Sequence, residues 1–245
     1  MPETMIALVT GGNKGIGREI ARQLADLGHT VVIGARSAAN GEETAAELRA
    51  AGGDVTSVTL DVTDAASAAA AADSVKDRFG RLDALVNNAG ISGRPGADFA
   101  GQSPASANVD DIRFIFETNV FGVVTVTTAF LPLLRLSESP RIVNVSSSAG
   151  SLTLTSDFNQ PDPIALGYVP SKTALTSLTI QYARGLAPEK ILVNAVCPGF
   201  VATDLNGFRG QLTPAQGAAQ AVRMTTIPSD GPTGTFTDND GPVPW

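Results

Sequence analysis

Short, nearly unbroken apolar runs alternate along this chain with longer stretches whose apolar residues recur every three to four positions. The short runs fall at 5–10, 30–35, 55–60, 84–88, 141–145, 191–196 and, more weakly, 234–237, and their length and β-branched content predict strands. The longer pattern predicts helices over 15–27, 41–51, 65–79, 110–136 and 175–186. A further helix begins at Thr213, because Thr213-Pro214-Ala215-Gln216 reads as a capping box with proline at the first helical position. The alanine run 68–72 is a helix former rather than a linker. Strands alternating with helices imply an α/β chain with a doubly wound parallel sheet of about seven strands and helices on both faces. The unbroken apolar stretch Ile6-Ala7-Leu8-Val9 suits a strand covered on both sides. No repeat or linker divides the sequence, so residues 1–245 are expected to form one domain, with a substrate cover over about 200–227.

Composition narrows the partners. Hydrophobic residues make up 43% and charged residues 17%, enough for a sizeable core. A formal charge of −7 and a pI near 4.7 lack the basic stripe that nucleic acid requires. Met1-Pro2-Glu3-Thr4 runs into the first strand without a basic leader. The longest apolar run, 120–134, is broken by threonines and Pro132, so no membrane span is expected. Cys197 is the only cysteine, which excludes an internal disulfide and fits a cytoplasmic setting. His29 is the only histidine; a His/Cys zinc site is excluded and a Ser-His-Asp triad has no support.

Two stretches carry chemistry. Thr10-Gly11-Gly12-Asn13-Lys14-Gly15-Ile16-Gly17 follows the first strand and opens a helix, the Rossmann-type arrangement in which backbone N–H groups and a helix N-terminus meet a pyrophosphate. Its glycines are not spaced Gly-x-Gly-x-x-Gly, and a plain tight turn would use the same residues. In Tyr168-Val169-Pro170-Ser171-Lys172 the phenol and the ammonium would meet on one face if the segment is helical. A cation beside a phenol lowers its pKa from about 10, making Tyr168 a proton donor or acceptor near neutrality. Taken alone, the spacing also fits an amphipathic helix start with a solvated lysine.

The two stretches belong to an ordered set. The turn has the form Thr-Gly-x-x-x-Gly-x-Gly, Asn87-Asn88-Ala89-Gly90 follows the fourth strand, and Asn119 lies in the long helix. Ser147 sits in Asn144-Val145-Ser146-Ser147-Ser148-Ala149-Gly150, followed by Tyr168, Lys172 and Pro198-Gly199. In this order, from Thr10 to Thr203, the chain resembles the short-chain dehydrogenase/reductase family. The resemblance implies an NADP(H)-dependent oxidoreductase. Tyr168 would exchange a proton with the carbonyl or alcohol oxygen as hydride moves, and Ser147 would stabilise the charge on that oxygen. Lys172 would lower the tyrosine pKa and hold the nicotinamide ribose, while Asn119 would help position a water linking Lys172 to solvent. Ser147 is favoured over Ser146 and Ser148 by its place three residues before Gly150. The implied cofactor-binding set is Gly11, Asn13, Lys14, Gly15, Ile16, Gly17, Arg36, Ser37, Asp61, Val62, Asn88, Ala89, Gly90, Tyr168, Lys172, Pro198, Gly199, Val201 and Thr203, with no metal.

The end of the second strand decides between NAD and NADP. It offers Arg36-Ser37 and no acidic residue to accept from ribose hydroxyls. A guanidinium can pair with a 2′-phosphate, and Lys14 and Asn13 can reach the same group, so NADPH/NADP+ is expected. Asp61 and Val62 match the family's adenine-contacting pair, and Thr203 its nicotinamide carboxamide contact. Segments 91–108, 151–166 and 200–227 should rim the substrate pocket, and the loop 93–106 should move until ligand arrives. Phe200, Val201, Leu205, Phe208 and Met224 suit either a cover over an apolar ketone or aldehyde or a helical hairpin packed on the sheet. The gap from Ser147 to Tyr168 holds Asp157-Phe158-Asn159-Gln160-Pro161-Asp162-Pro163, an insertion that resembles the carbonyl-reductase branch. It leaves a monomer and a homo-oligomer paired through the long helices both open. Trp245 is expected to pack back on the body. A regulator that holds NADPH without turnover is the alternative function, and a sugar epimerase a third.

Overall fold

The computed structural model describes residues 4–95, 102–159 and 164–245. Met1 to Glu3, part of the 93–106 loop and Gln160 to Pro163 of the insertion lie outside the described residues. Seven strands form one sheet in the order β3-β2-β1-β4-β5-β6-β7, and every pairing is parallel. They are β1 (Ile6–Thr10), β2 (Thr30–Ala35), β3 (Val55–Thr59), β4 (Ala84–Asn87), β5 (Arg141–Val145), β6 (Leu192–Val196) and β7 (Phe236–Thr237). The helices are α1 (Gly15–Asp26), α2 (Ala38–Ala50), α3 (Ala65–Phe79), α4 (Val109–Phe116), α5 (Gly122–Leu134), α6 (Leu152–Thr155), α7 (Tyr168–Leu186) and α8 (Pro214–Thr225). This is the doubly wound α/β, Rossmann-like architecture expected from the sequence.

Side-chain alternation splits the core into two. Ala7, Val9, Val31, Ile33, Ala84, Val86, Val143 and Val145 pack under α1, α2 and α8. Ile6, Leu8, Val32, Leu85 and Ile142 point the other way, towards α3, α5 and α7. Period-two strands buried on both faces need apolar residues at every position, which is why the runs look continuous. A fully buried side chain such as Phe130 contributes about 2–3 kcal/mol.

The order reverses at β1, whose neighbours β2 and β4 are reached by chain leaving in opposite directions. In such sheets the usual ligand position is the crevice beyond the carboxyl ends of the strands at that reversal. A polar string ties the layers beneath it. Asn87 Nδ2 donates to Asn144 Oδ1 at 2.9 Å, and Asn144 Nδ2 donates to Thr179 Oγ1 at 2.9 Å, linking β4, β5 and α7.

Three sequence expectations change. The predicted helix 110–136 is α4 and α5 joined by a π-helical turn, Glu117–Phe121. By length and composition the run Val109–Leu134, which holds an 18-residue window of mean hydropathy 1.5, could cross a membrane, where none was expected. Here Val126, Phe130, Leu133 and Leu134 are buried in the core beneath it. The expected substrate cover also divides: Val201 and Met224 are buried, and α8 packs on α1, whereas Phe200, Leu205 and Phe208 are exposed. Packing of α8 on the sheet therefore leaves 200–212 as the part free to flank a pocket. Trp245 does pack back, its ring centroid 5.7 Å from that of Phe236.

Candidate active site

The site is assembled around the first turn of α7. That helix starts at Tyr168, well before the predicted start at 175, so Tyr168 and Lys172 lie one turn apart on one face. Pro170 falls within the first turn, where a missing N–H leaves no ladder bond unmade. The helix presses against the end of β5: a β-carbon on Gly150 would lie 2.6 Å from the Lys172 carbonyl carbon and 2.8 Å from Thr173 N. Only glycine permits that approach.

Of the three serines after β5, Ser147 is the one whose side chain hydrogen-bonds Tyr168. Its Oγ also accepts from Ala149 N at 3.2 Å, which fixes the rotamer. Ser146 is buried and donates to Lys172 O, while Ser148 N donates to Cys197 Sγ. Lys172 is 5% exposed; its Nζ donates to Val145 O at 2.9 Å and stands 5.8 Å from the Tyr168 ring centroid.

This geometry corrects the expected tyrosine pKa. The Tyr168 residue is half-buried, but burial pushes its hydroxyl up to about 12, against the opposing pull of the Ser147 hydrogen bond. Burial also pushes Lys172 down to about 8 from an ordinary 10.5. Desolvation disfavours both charged forms, and the ammonium donates to the Val145 carbonyl. The resting phenol is therefore protonated through neutral pH.

Asn119 lies in the π-helical turn and is 1% exposed. Its Nδ2 donates to Ile91 O (2.8 Å) and Ser171 Oγ (3.0 Å), and its Oδ1 accepts from Ile91 N at 2.9 Å. Ser171 Oγ in turn donates to Tyr168 O. The amide thus staples the segment after β4 to α7. π-Turns inside α-helices are frequent at functional sites, and periodicity alone does not reveal them.

The glycine turn meets this cluster from the β1 side. Gly11 and Gly15 hold φ of +62° and +55°, a left-handed backbone that favours glycine. A β-carbon on Gly17 would collide with Gly11 O and Asn88 Nδ2. Asn88 Nδ2 donates to Thr10 O, and Thr10 Oγ1 accepts from Asn88 N and Ala89 N, so the end of β4 braces the turn. Gly90 lies within reach of both Asn119 and Lys172: its β-carbon would be 3.4 Å from Asn119 Oδ1 and 3.5 Å from Lys172 Nζ. Lys14, the N-cap of α1, places no side-chain cap on the helix's first N–H groups. An open helix N-terminus above crowded glycines fits a pyrophosphate.

The remaining expected contacts spread along the same crevice. Arg36 is exposed after β2, with no partner among the described residues, and Ser37 caps α2 through Asn40 N. Asp61 Oδ1 accepts from Thr63 N and Thr63 Oγ1, and buried Val62 packs on Gly122. Asn13 O accepts from Thr44 Oγ1, and Ile16 packs on the core beneath α1. Across the crevice, Pro198 leads into Gly199 at φ +79°, and Val201 bridges Leu212. Thr203 lies close to Gly15, whose β-carbon would be 3.5 Å from Thr203 Cγ2. Lys14, expected to reach the 2′-phosphate, pairs here with Asp204 next to Thr203. Sequence reading missed Ser171, Asp204 and Gln102, whose side-chain partners, apart from Ser92 and Tyr168 O, lie 52 or more residues away along the chain. Among the described residues no group of three His, Cys, Asp or Glu could hold a metal.

The family model for short chain dehydrogenases matches residues 5–212. The chain belongs to that family. Short-chain dehydrogenase/reductase 1 of Saponaria officinalis is 37% identical, the alignment covering 98% of this chain and 95% of the relative. The (+)-neomenthol dehydrogenase of Capsicum annuum is 34% identical, with 95% of each covered. Among solved structures, the NADPH-bound carbonyl reductase from chicken fatty liver superposes with a TM-score of 0.85 at 28% identity, covering 99% of this chain and 100% of the other. This short-chain dehydrogenase is accordingly an oxidoreductase working between carbonyl and alcohol.

Proposed function

We propose that this chain reduces a ketone or aldehyde to an alcohol with NADPH, and runs the reverse reaction with NADP+. One observation carries the reading: Tyr168, hydrogen-bonded to Ser147, sits on one helix with Lys172, and Lys172 and Asn119 lie beside Gly90, in the segment after β4 that braces the glycine turn. NADPH, when bound, supplies the hydride. The protonated Tyr168 hydroxyl is the acid for the oxygen that becomes alkoxide, a far stronger base than phenolate. Ser147 donates to the same oxygen and stabilises its developing charge. Lys172 holds the ribose, and its positive charge then offsets the phenolate left behind. Asn119 keeps the segment after β4 in place against α7, and its Oδ1 retains a lone pair that a relay water could donate to.

Arg36 supports NADP(H) over NAD(H), because a guanidinium repays a 2′-phosphate and no carboxylate stands there for a ribose hydroxyl. The NADPH in the chicken carbonyl reductase agrees. Phe200, Leu205 and Phe208 are exposed along the flank of the crevice, which supports an apolar substrate. Phe208 holds φ +60°, a strained conformation for a bulky residue of the kind that gathers at ligand clamps.

Turnover of cyclohexanone, ethyl acetoacetate, benzaldehyde and menadione, followed by loss of NADPH absorbance, tests the reading. At least one carbonyl should be reduced, and faster with NADPH than with NADH. Tight NADPH binding with no carbonyl or alcohol consumed would instead indicate a regulator.

A further inference from the structure

Helix α7 carries Tyr168 at its first position, yet it has no cap of its own. Its N-cap is Gly167, and no N-cap side chain bonds the first turn. Nor could one be fitted: a β-carbon on Gly167 would lie 2.5 Å from Ile115 Cδ1 and 3.0 Å from Gln102 Oε1. The donors at the start of the helix must find an acceptor elsewhere or remain unsatisfied.

Gln102 supplies it. Its Oε1 accepts from Tyr168 N at 2.9 Å and from Gly167 N at 3.2 Å, and its main-chain carbonyl accepts from Leu166 N at 3.0 Å. Gln102 is 6% exposed, so these bonds are shielded from water. The other end of the same amide points back: Nε2 donates to Ser92 O at 2.6 Å. Ser92 Oγ then donates to Leu205 O at 2.8 Å, in the segment that flanks the crevice opposite the glycine turn. One carboxamide therefore joins the catalytic tyrosine's own backbone to two segments bordering the substrate side.

We propose that Gln102 is a positioning residue for the reaction, capping the catalytic helix through Oε1 and tying it to the substrate-flanking segments through Nε2. The inference rests on the reading of Tyr168 as the proton donor. The two ends of the amide do separable work. Loss of the acceptor frees the first turn of α7 and lets the phenol drift from Ser147, which slows the chemical step. Loss of the donor leaves the helix capped but releases Ser92 and Leu205, which weakens substrate binding.

Two substitutions separate these ends. Gln102→Leu removes both; Gln102→Glu keeps an acceptor at the helix N-terminus, where a carboxylate is favourable, and removes the donor. On a carbonyl from the panel above, Gln102→Leu should lower kcat about tenfold or more, with the NADPH dissociation constant unchanged within about twofold. Gln102→Glu should restore kcat and raise the carbonyl KM by about tenfold. If Gln102→Leu does not fold, Gln102→Asn, which shortens the reach by one methylene, reads the same loss of kcat. Wild-type kcat in the Leu variant overturns the proposal, as does a Glu variant that loses kcat as fully as Leu. Tyr168→Phe is measured beside them. A fully active Tyr168→Phe sinks the reading of the site itself, whereas an inactive one beside a fully active Gln102→Leu sinks the role of Gln102 alone.

Discussion

At the scale of single residues, burial sets the acid–base chemistry before any cofactor enters. Tyr168 near 12 is an acid that stays loaded, and Lys172 near 8 is a cation close to losing its proton. The sign for Lys172 follows from its lowered pKa: the ammonium is complete below about 8 and is lost as pH rises through it. Carbonyl reduction needs that charge, so kcat/KM, which reports the free enzyme, should fall as pH rises through about 8. A profile flat to the pH of an ordinary lysine would contradict this. Arg36 makes a second expectation at this scale. Arg36→Glu should raise the NADPH KM by about a hundredfold and bring the NADH KM level with it or below, through loss of a phosphate pair and gain of a ribose acceptor. An unchanged ratio of the two constants would remove Arg36 from cofactor selection.

At the scale of elements, the sheet supports the site through side chains that the crevice itself does not display. Asn144 receives from Asn87 and donates to Thr179, with 0% exposure, so it holds β4, β5 and α7 in register under Tyr168. Asn144→Leu should destabilise the protein by about 2–3 kcal/mol in urea unfolding, because Asn87 and Thr179 lose buried partners. No loss would mean that the string carries no stability. The strands were legible in the sequence because parallel strands covered on both faces read as apolar runs. The glycine turn was legible because its backbone leaves few residue choices at Gly11, Gly15 and Gly17. The start of α7 was not: Pro170 reads as a breaker until it is known to fall in the first turn. The π-turn at Asn119 and the cap from Gln102 were equally hidden. One changes the hydrogen-bond pattern within an apolar run, and the other depends on a contact 66 residues away. The direction of the Tyr168 pKa was misread because spacing gives proximity of the two side chains and not their desolvation.

At the scale of the whole molecule, the strand order brings residues from Gly11 to Thr203 to one crevice, so the cofactor should bind across both halves of the sheet. Binding to the native state alone raises global stability, by about 2.7 kcal/mol at a hundredfold excess over the dissociation constant. NADPH should therefore raise the midpoint of thermal unfolding, and more than NADH does at equal concentration. No shift at saturating NADPH would mean that the crevice does not hold it.

The most direct test is the rate of NADPH oxidation by Tyr168→Phe on a carbonyl that the wild-type chain reduces, with NADPH affinity measured on the same samples. Removing the hydroxyl proposed to give up the proton should lower kcat by about a thousandfold while NADPH remains bound. Turnover near the wild-type rate would show that the proton comes from elsewhere.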